Sequence, residues 1–340
     1  MQPMAPRQRL MAALRGESVD RPPAATIVSA ATYELMDIAG AHLPQVNEEP
    51  EAMAALAAAT HEVMGYDTVM PVFSVSQEAT ALGCEVDWER GQRLPVPISH
   101  PWADRSAEIR LPAGFPGSFL EERHVRCVLE AIRLLRRRFG ERVAIIGKVM
   151  GPWTLSYHLY GVQEFLLDTL LDPERVRRSL ETLAPVPLLF ARAQIEAGAD
   201  AICWPDHATG DLVRASMYRD FLLPIHNRLV PQVPAPVILH CCGPTADRIR
   251  YFREAGFACF HFESQVPPEV AVAEAAGRMR LAGNVNNPQT LLRGTPEDVR
   301  AEARRAIAAG VDIIAPECAV PLETPLANMR AIPEACAVNA

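Results

Sequence analysis

The chain reads as an α/β protein of the (β/α)8 TIM-barrel class, with an insertion after its second strand. Three observations predict this. Eight short apolar runs recur along the 340 residues, helical segments separate them, and the runs are mostly continuous rather than alternating. Continuous runs suit parallel strands buried on both faces, and strand–helix alternation builds a parallel sheet. The predicted strands are 23–29 (PAATIVS), 67–72 (DTVMPV), 143–149 (VAIIGKV), 199–204 (ADAICW), 236–240 (PVILH), 257–262 (FACFHF), 279–284 (MRLAGN) and 311–316 (VDIIAP). A doubly wound open sheet is the competing topology, but no glycine-rich phosphate fingerprint follows the first strand.

The segments between the strands carry helix signals. The stretch 175–198 ends in Gly198, and Pro185 and Pro187 should kink or divide it. Thr295 and Pro296 open a helix that Gly310 closes, Gly256 ends another over 243–256, and Thr324-Pro325 starts the last. Residues 73–120 are rich in Pro and Gly and hold short alternating segments. They predict an insertion, with a β-hairpin, that covers the barrel mouth. No repeat or low-complexity linker divides the chain, so 1–340 is expected to be one domain.

Composition excludes several classes. Forty-one acidic against 33 basic residues give a net charge of −8, which argues against a nucleic-acid partner. Arg136-Arg137-Arg138 is too short for a basic arm and reads as a solvated helix face. No long apolar segment suggests a signal peptide or a membrane span, and the eight cysteines lack a disulfide spacing. The expected compartment is the reducing cytoplasm, with Cys203 and Cys259 as core residues.

In such a barrel the chemistry sits at the C-terminal strand ends. The third strand runs out into Gly151-Pro152-Trp153, the fourth into Asp206-His207 and the fifth into His240-Cys241-Cys242-Gly243. The sixth leads to Glu263-Ser264, the seventh to Asn284-Val285-Asn286-Asn287 and the eighth to Glu317-Cys318. His240, Cys242 and Cys318 form a ligand set of one imidazole and two thiols that suits zinc, and three protein ligands leave a position for substrate. Zinc can hold a thiol as the nucleophilic thiolate. A lone His-x-Cys equally describes satisfied core groups; the third residue at another strand end strengthens the metal reading. Cys241 should point away from its neighbours. Glu263 is a displaceable fourth ligand or a helix N-terminal carboxylate. Asp206 is a pocket acid, Asp211 a cap, and His207 a pocket group or a helix-start residue. Asp206 and Glu263 are therefore the catalytic candidates, and Trp153, His207 and Asn284 the cofactor-contacting ones.

Several segments, in this order, resemble the uroporphyrinogen decarboxylase superfamily, and within it the zinc-dependent methylcobamide methyltransferases. They are RLMAALRGESVDRPP (9–23), GKVMGPWTLSYHLYG (147–161), DHATGDLVRASMYRDFLLPIHNRL (206–229), GNVNNPQTLLRGTPEDV (283–299) and PECAVPLETPLANMRAI (316–332). The resemblance implies a (β/α)8 barrel with zinc on His240, Cys242 and Cys318, and Glu263 where some members fill the vacant position. It also implies a methyl-corrinoid co-substrate on a carrier protein and a small acceptor, commonly the thiol of coenzyme M and in related enzymes tetrahydrofolate. The decarboxylase branch carries an arginine-rich segment after the first strand. The matching stretch here, 22–36 (PPAATIVSAATYELM), has no arginine to meet substrate carboxylates. Methyl transfer is thus the expected reaction. Decarboxylation and a non-catalytic, zinc-stabilised role as partner of a corrinoid protein are the alternatives.

Overall fold

A computed structural model describes residues 2–88, 93–106 and 108–337. Seven parallel strands form one sheet in chain order: β1 (Thr68–Val69), β4 (Ala144–Lys148), β5 (Ala201–Pro205), β6 (Val237–His240), β7 (Cys259–His261), β8 (Arg280–Val285) and β9 (Ile313–Pro316). The sheet curls through 262° about an axis. Seven of the eight predicted strands are thus present, each starting later than expected, and β5 and β8 run one residue past the expected end. Their side chains are almost wholly buried, because helices cover the outside and side chains fill the inside.

The first predicted strand, 23–29, is a correction. It forms a single parallel bridge, Ala24 to Ile314, and no strand. Pro22 and Pro23 have no N–H to give a ladder, and the N–H of Thr26 goes to the Thr68 hydroxyl at 2.7 Å. The segment still lies between the sheet edges. The Ala25 N–H donates to Ile314 and the Asp67 N–H to Ala24, at 2.9 and 2.8 Å.

The prolines act as expected in the 175–198 segment. It splits into helices Pro173–Leu183 and Pro185–Ala197, with Ala184 between them. Thr295 caps Pro296–Ala309 in a capping box with Asp298, and Gly310 closes it in the left-handed conformation. Thr324 differs: its buried hydroxyl has no hydrogen-bond partner among the described residues, and the last helix begins at Leu326.

Within 73–120 a hairpin forms from β2 (Val86–Asp87) and β3 (Val96–Pro97). Residues 89–92 and 107 of this insertion lie outside the described residues. The insertion rests on helix Pro152–Tyr160: His100 Nδ1 donates to the His158 carbonyl at 2.7 Å, and the Trp102 N–H to Leu159 at 2.7 Å. Among the described residues no helix is long and apolar enough to cross a membrane.

Candidate metal centre

A parallel sheet sends every strand out at one end, so residues just past the strand ends converge. His240 is the last residue of β6, and Cys242 stands two further on. Glu263, Cys318 and His207 each lie two residues beyond β7, β9 and β5. His240 Nε2 is 3.2 Å from Cys242 Sγ and 3.5 Å from Cys318 Sγ, and the two sulfurs are 3.5 Å apart. Among the described residues two overlapping sets could hold a metal ion: Cys242, Glu263 and Cys318, and His207, His240 and Cys242, with ligand atoms within 4.8 Å of one another in each. The 76-residue gap between the thiols is closed by the fold. Cys241 is fully buried and outside both sets, as strand alternation requires.

The loops that carry the donors are tied together. Glu263 accepts the Gly243 N–H at 2.7 Å. Gly243 has φ +76°, and a Cβ there would stand 2.4 Å from the Thr209 hydroxyl, so only glycine lets this turn approach the β5 loop. Burial pushes the Glu263 carboxyl up, against the opposing pull of the Gly243 N–H. Burial first, then His261 and His207, hold the His240 imidazole well below its ordinary value, so the ring is neutral and able to ligate.

One residue here escaped the sequence reading, His261, and another, Glu317, stood at a strand exit there without a role. His261 packs its ring 4.7 Å from that of His240, and its Nε2–H donates to the Pro316 carbonyl at 2.8 Å, two residues before Cys318. It therefore braces both ends of the ligand set. Its only signal was a histidine inside an otherwise apolar run. Glu317, buried beside Cys318, accepts the N–H groups of Ser264 and Asn287 at 2.8 and 2.7 Å. One carboxylate thus pins the loops after β7, β8 and β9.

The remaining predicted residues stand apart from the donors. Asp206 has no exposed surface, and both oxygens are engaged. Oδ1 accepts the Thr154 N–H at 2.9 Å, near the start of helix Pro152–Tyr160, and Oδ2 accepts from His226 Nε2 at 2.9 Å. Tyr218 in turn donates to His226 Nδ1 at 2.8 Å. Gly151 admits this acid, since a Cβ there would meet Asp206 Cγ at 2.2 Å. Trp153 is likewise enclosed, edge-on to Phe165 at 4.8 Å. Its indole N–H donates to Tyr157, whose hydroxyl donates to the His207 carbonyl at 3.0 Å. Asn284 is buried, and its amide donates to the Val266 carbonyl at 3.2 Å. Of the cofactor-contacting candidates, only His207 reaches the donors.

The uroporphyrinogen decarboxylase (URO-D) family model matches residues 5–338. The chain belongs to the URO-D family. Among its relatives is a methylated-thiol–coenzyme M methyltransferase of Methanosarcina mazei, 33% identical over 98% of this chain and 89% of that one. The methylcobamide:CoM methyltransferase MtaA of Methanosarcina barkeri is 31% identical over 96% of both chains. A uroporphyrinogen decarboxylase of Xanthomonas campestris is 26% identical over 89% of this chain and 88% of its own. A solved methyltransferase structure from Methanosarcina mazei superposes on this URO-D family member with a TM-score of 0.93. That chain is 31% identical, with 98% of this chain and 99% of that one covered.

Proposed function

We propose that the protein is a zinc-dependent methyltransferase that moves a methyl group from a methylated corrinoid on a carrier protein to a thiol such as coenzyme M. The observation that carries this reading is the convergence of His240, Cys242 and Cys318. Tetrahedral zinc with sulfur and nitrogen ligands needs donors about 3.6–3.8 Å apart. The 3.2–3.5 Å separations fall just short of that range, so a small outward shift of the side chains would admit the ion. Two sulfurs and one nitrogen select zinc over hard cations. When bound, zinc would keep an acceptor thiol as its thiolate at neutral pH.

The chain's own residues then orient the reaction. His261 and Glu317 hold the ligand loops. Glu263, kept beside both cysteines by Gly243, would fill the position left for substrate. The acceptor sulfur attacks the methyl carbon in line; the S–C bond forms as the Co–C bond breaks, and its electron pair leaves on cob(I)alamin. Asp206 and Trp153 serve as positioning residues: through Thr154 and Tyr157 they fix His207 at the edge of the set. We read the architecture as a single (β/α)8 barrel over 1–340, with residues 23–26 closing the ring. The 73–120 insertion, whose Ile98 is 62% exposed, is the proposed docking element for the corrinoid carrier.

The decisive assay supplies zinc-loaded protein and methylcob(III)alamin with coenzyme M, homocysteine or tetrahydrofolate under anaerobic conditions. Thiol-dependent conversion of the methyl-corrinoid spectrum to cob(I)alamin is expected, with methylated thiol as product. No turnover on any acceptor, with zinc bound, would leave the non-catalytic reading. The relatives of the decarboxylase branch justify a second assay. Arg21 already spends its guanidinium on Asp67, and the segment 22–36 supplies no other arginine. No conversion of uroporphyrinogen to coproporphyrinogen is therefore expected.

Zinc retention should weaken as pH falls. In the metal-free site Cys242 is held well above the ordinary thiol range, by its hydrogen bond to Cys318 and then by burial. Its proton must leave when zinc binds, whereas neutral His240 gives up none. Affinity is expected to drop about tenfold per pH unit for each thiol still protonated in the metal-free state. Competition with a chromophoric chelator between about pH 8 and about pH 6 reads this slope, and a flat profile would contradict thiolate ligation.

A further inference from the structure

Cys242 and Cys318 differ from the other cysteines of the chain. Of the eight, these two alone are partly exposed, and the other six are buried. Burial pushes the thiols of Cys84, Cys127, Cys203 and Cys336 up to about 12, so at neutral pH they stay protonated and unreactive. Cys242 and Cys318 also meet each other, with their sulfurs 3.5 Å apart. A disulfide brings two sulfurs to about 2.05 Å, so a shift of roughly 1.5 Å would join them. Each cysteine stands two residues past a strand, β6 and β9, where side-chain rotation can supply such a shift.

The surroundings favour this pair over any other. Glu263 accepts the Gly243 N–H beside Cys242, and His261 donates to the Pro316 carbonyl two residues before Cys318. These bonds hold the two loops together without using either sulfur. Cys241 is the competing neighbour, but it is fully buried, and its S–H turns to the Cys242 carbonyl at 3.9 Å rather than to a second sulfur. The two thiols that a metal ion would need are therefore also the two that an oxidant can reach and link.

We propose that Cys242 and Cys318 form a reversible disulfide that switches the metal centre off: a peroxide links the pair and expels the ion, and a small thiol restores the site. The inference rests on the zinc reading of these residues and adds a regulation to it. One thiolate attacks the peroxide and takes one oxygen as a sulfenic acid, as the O–O bond breaks and the other oxygen leaves as water. The second cysteine sulfur then attacks the first; the S–S bond forms, the S–O bond breaks and a second water leaves. The pair loses two electrons and the peroxide gains them. Neither sulfur of a disulfide is a thiolate, so zinc loses two of its three protein ligands. In the return step a thiolate attacks one sulfur to give a mixed disulfide. A second small thiol displaces the cysteine, which leaves both cysteines reduced and the small thiols joined. A thiol acceptor suits this task, because it has to reach these same sulfurs to be methylated. Methyl transfer would then run only while the thiol pool that supplies the acceptor stays reduced.

The test treats zinc-loaded protein with stoichiometric hydrogen peroxide. A chromophoric chelator reads the zinc released, thiol titration of the unfolded chain reads the sulfurs consumed, and peptide mapping reads the link. Free thiols should fall from eight to six, with one zinc released per Cys242–Cys318 disulfide and methyl transfer lost in proportion. Dithiothreitol or 2-mercaptoethanesulfonate, followed by zinc, should return all of these readings. Cys241→Ala should respond as wild type does. Cys318→Ala should form no link within the chain and should instead carry a sulfenic acid on Cys242 that dimedone traps. Metal-free protein separates the switch from the zinc reading: the same link should form there, and it is read even if the chain binds no zinc. Oxidation that yields no Cys242–Cys318 link, a link through Cys241 instead, or a sulfinic acid that thiols do not reverse would each overturn the switch while bound zinc and methyl transfer stand.

Discussion

Cys318→Ala is expected to abolish zinc retention and methyl transfer together while the α/β fold stays intact. The expectation follows from the composition of the site. Three side chains make the ligand set, and Cys318 is the one supplied from the far end of the chain. Its loss leaves His240 and Cys242 on a single loop, with His207 and Glu263 as the further donors at the site. The set then has one thiolate fewer, and loss of even an outer-shell partner costs about 10–100-fold in affinity or activity. Removal of a direct ligand should exceed that range. Bound zinc, measured after gel filtration, should fall from about one per chain to a small fraction, with the rate in proportion. Cys242→Ala should do the same. Fold stability should change little, since both thiols are partly exposed and sit beyond the strand ends. Cys241→Ala is the matched control: its sulfur lies outside the donor sets, so zinc and activity should survive. Full activity in metal-free Cys318→Ala protein would sink the mechanism.

That pair of cysteines also shows what a linear sequence reveals. His240, Cys242 and Cys318 were legible because each stands at or just past an apolar run, and parallel strands deliver such positions to one face. Glu263 was legible for the same reason. The roles of Asp206 and Trp153 were not. Both stand near strand exits, as the metal donors do, and residue type alone cannot tell a pocket acid from one buried under the pocket. The structure spends Asp206 on Thr154 and His226, and Trp153 on Tyr157. His261 was hidden for the opposite reason: a polar ring inside a strand reads as part of the core until its neighbours across the sheet are known. Strand 23–29 failed because its apolar, β-branched pattern ignores where the N–H groups go. Two prolines and the Thr68 hydroxyl remove the ladder, yet the segment stays between the sheet edges.

What holds it there leads to the prediction with the largest expected effect on stability. Asp67, just before β1, is buried and accepts from three residues of the N-terminal segment. Arg9 reaches Oδ1 at 2.5 Å, Arg21 reaches both oxygens at 2.9 and 3.0 Å, and the Ala24 N–H donates at 2.9 Å. Asp20 completes the cluster by accepting from Arg9 Nε at 2.7 Å. This charged knot takes the place of the missing strand ladder between residues 23–26 and β1. Asp67→Ala would leave the buried Arg9 with one carboxylate instead of two, and the Ala24 N–H with none. Breaking a buried ion pair from one side costs about 3–5 kcal/mol, because the remaining charge stays desolvated. The midpoint of urea unfolding should fall accordingly, with the m-value unchanged. Asp67→Asn, which keeps an acceptor for Ala24, should lose less. Zinc affinity below the unfolding transition should match wild type, since Asp67 is not among the metal donors. A loss under about 1 kcal/mol would show that the 23–26 segment is held by the Ala24–Ile314 side instead, and that the arginines of the opening segment are solvated rather than spent on holding it.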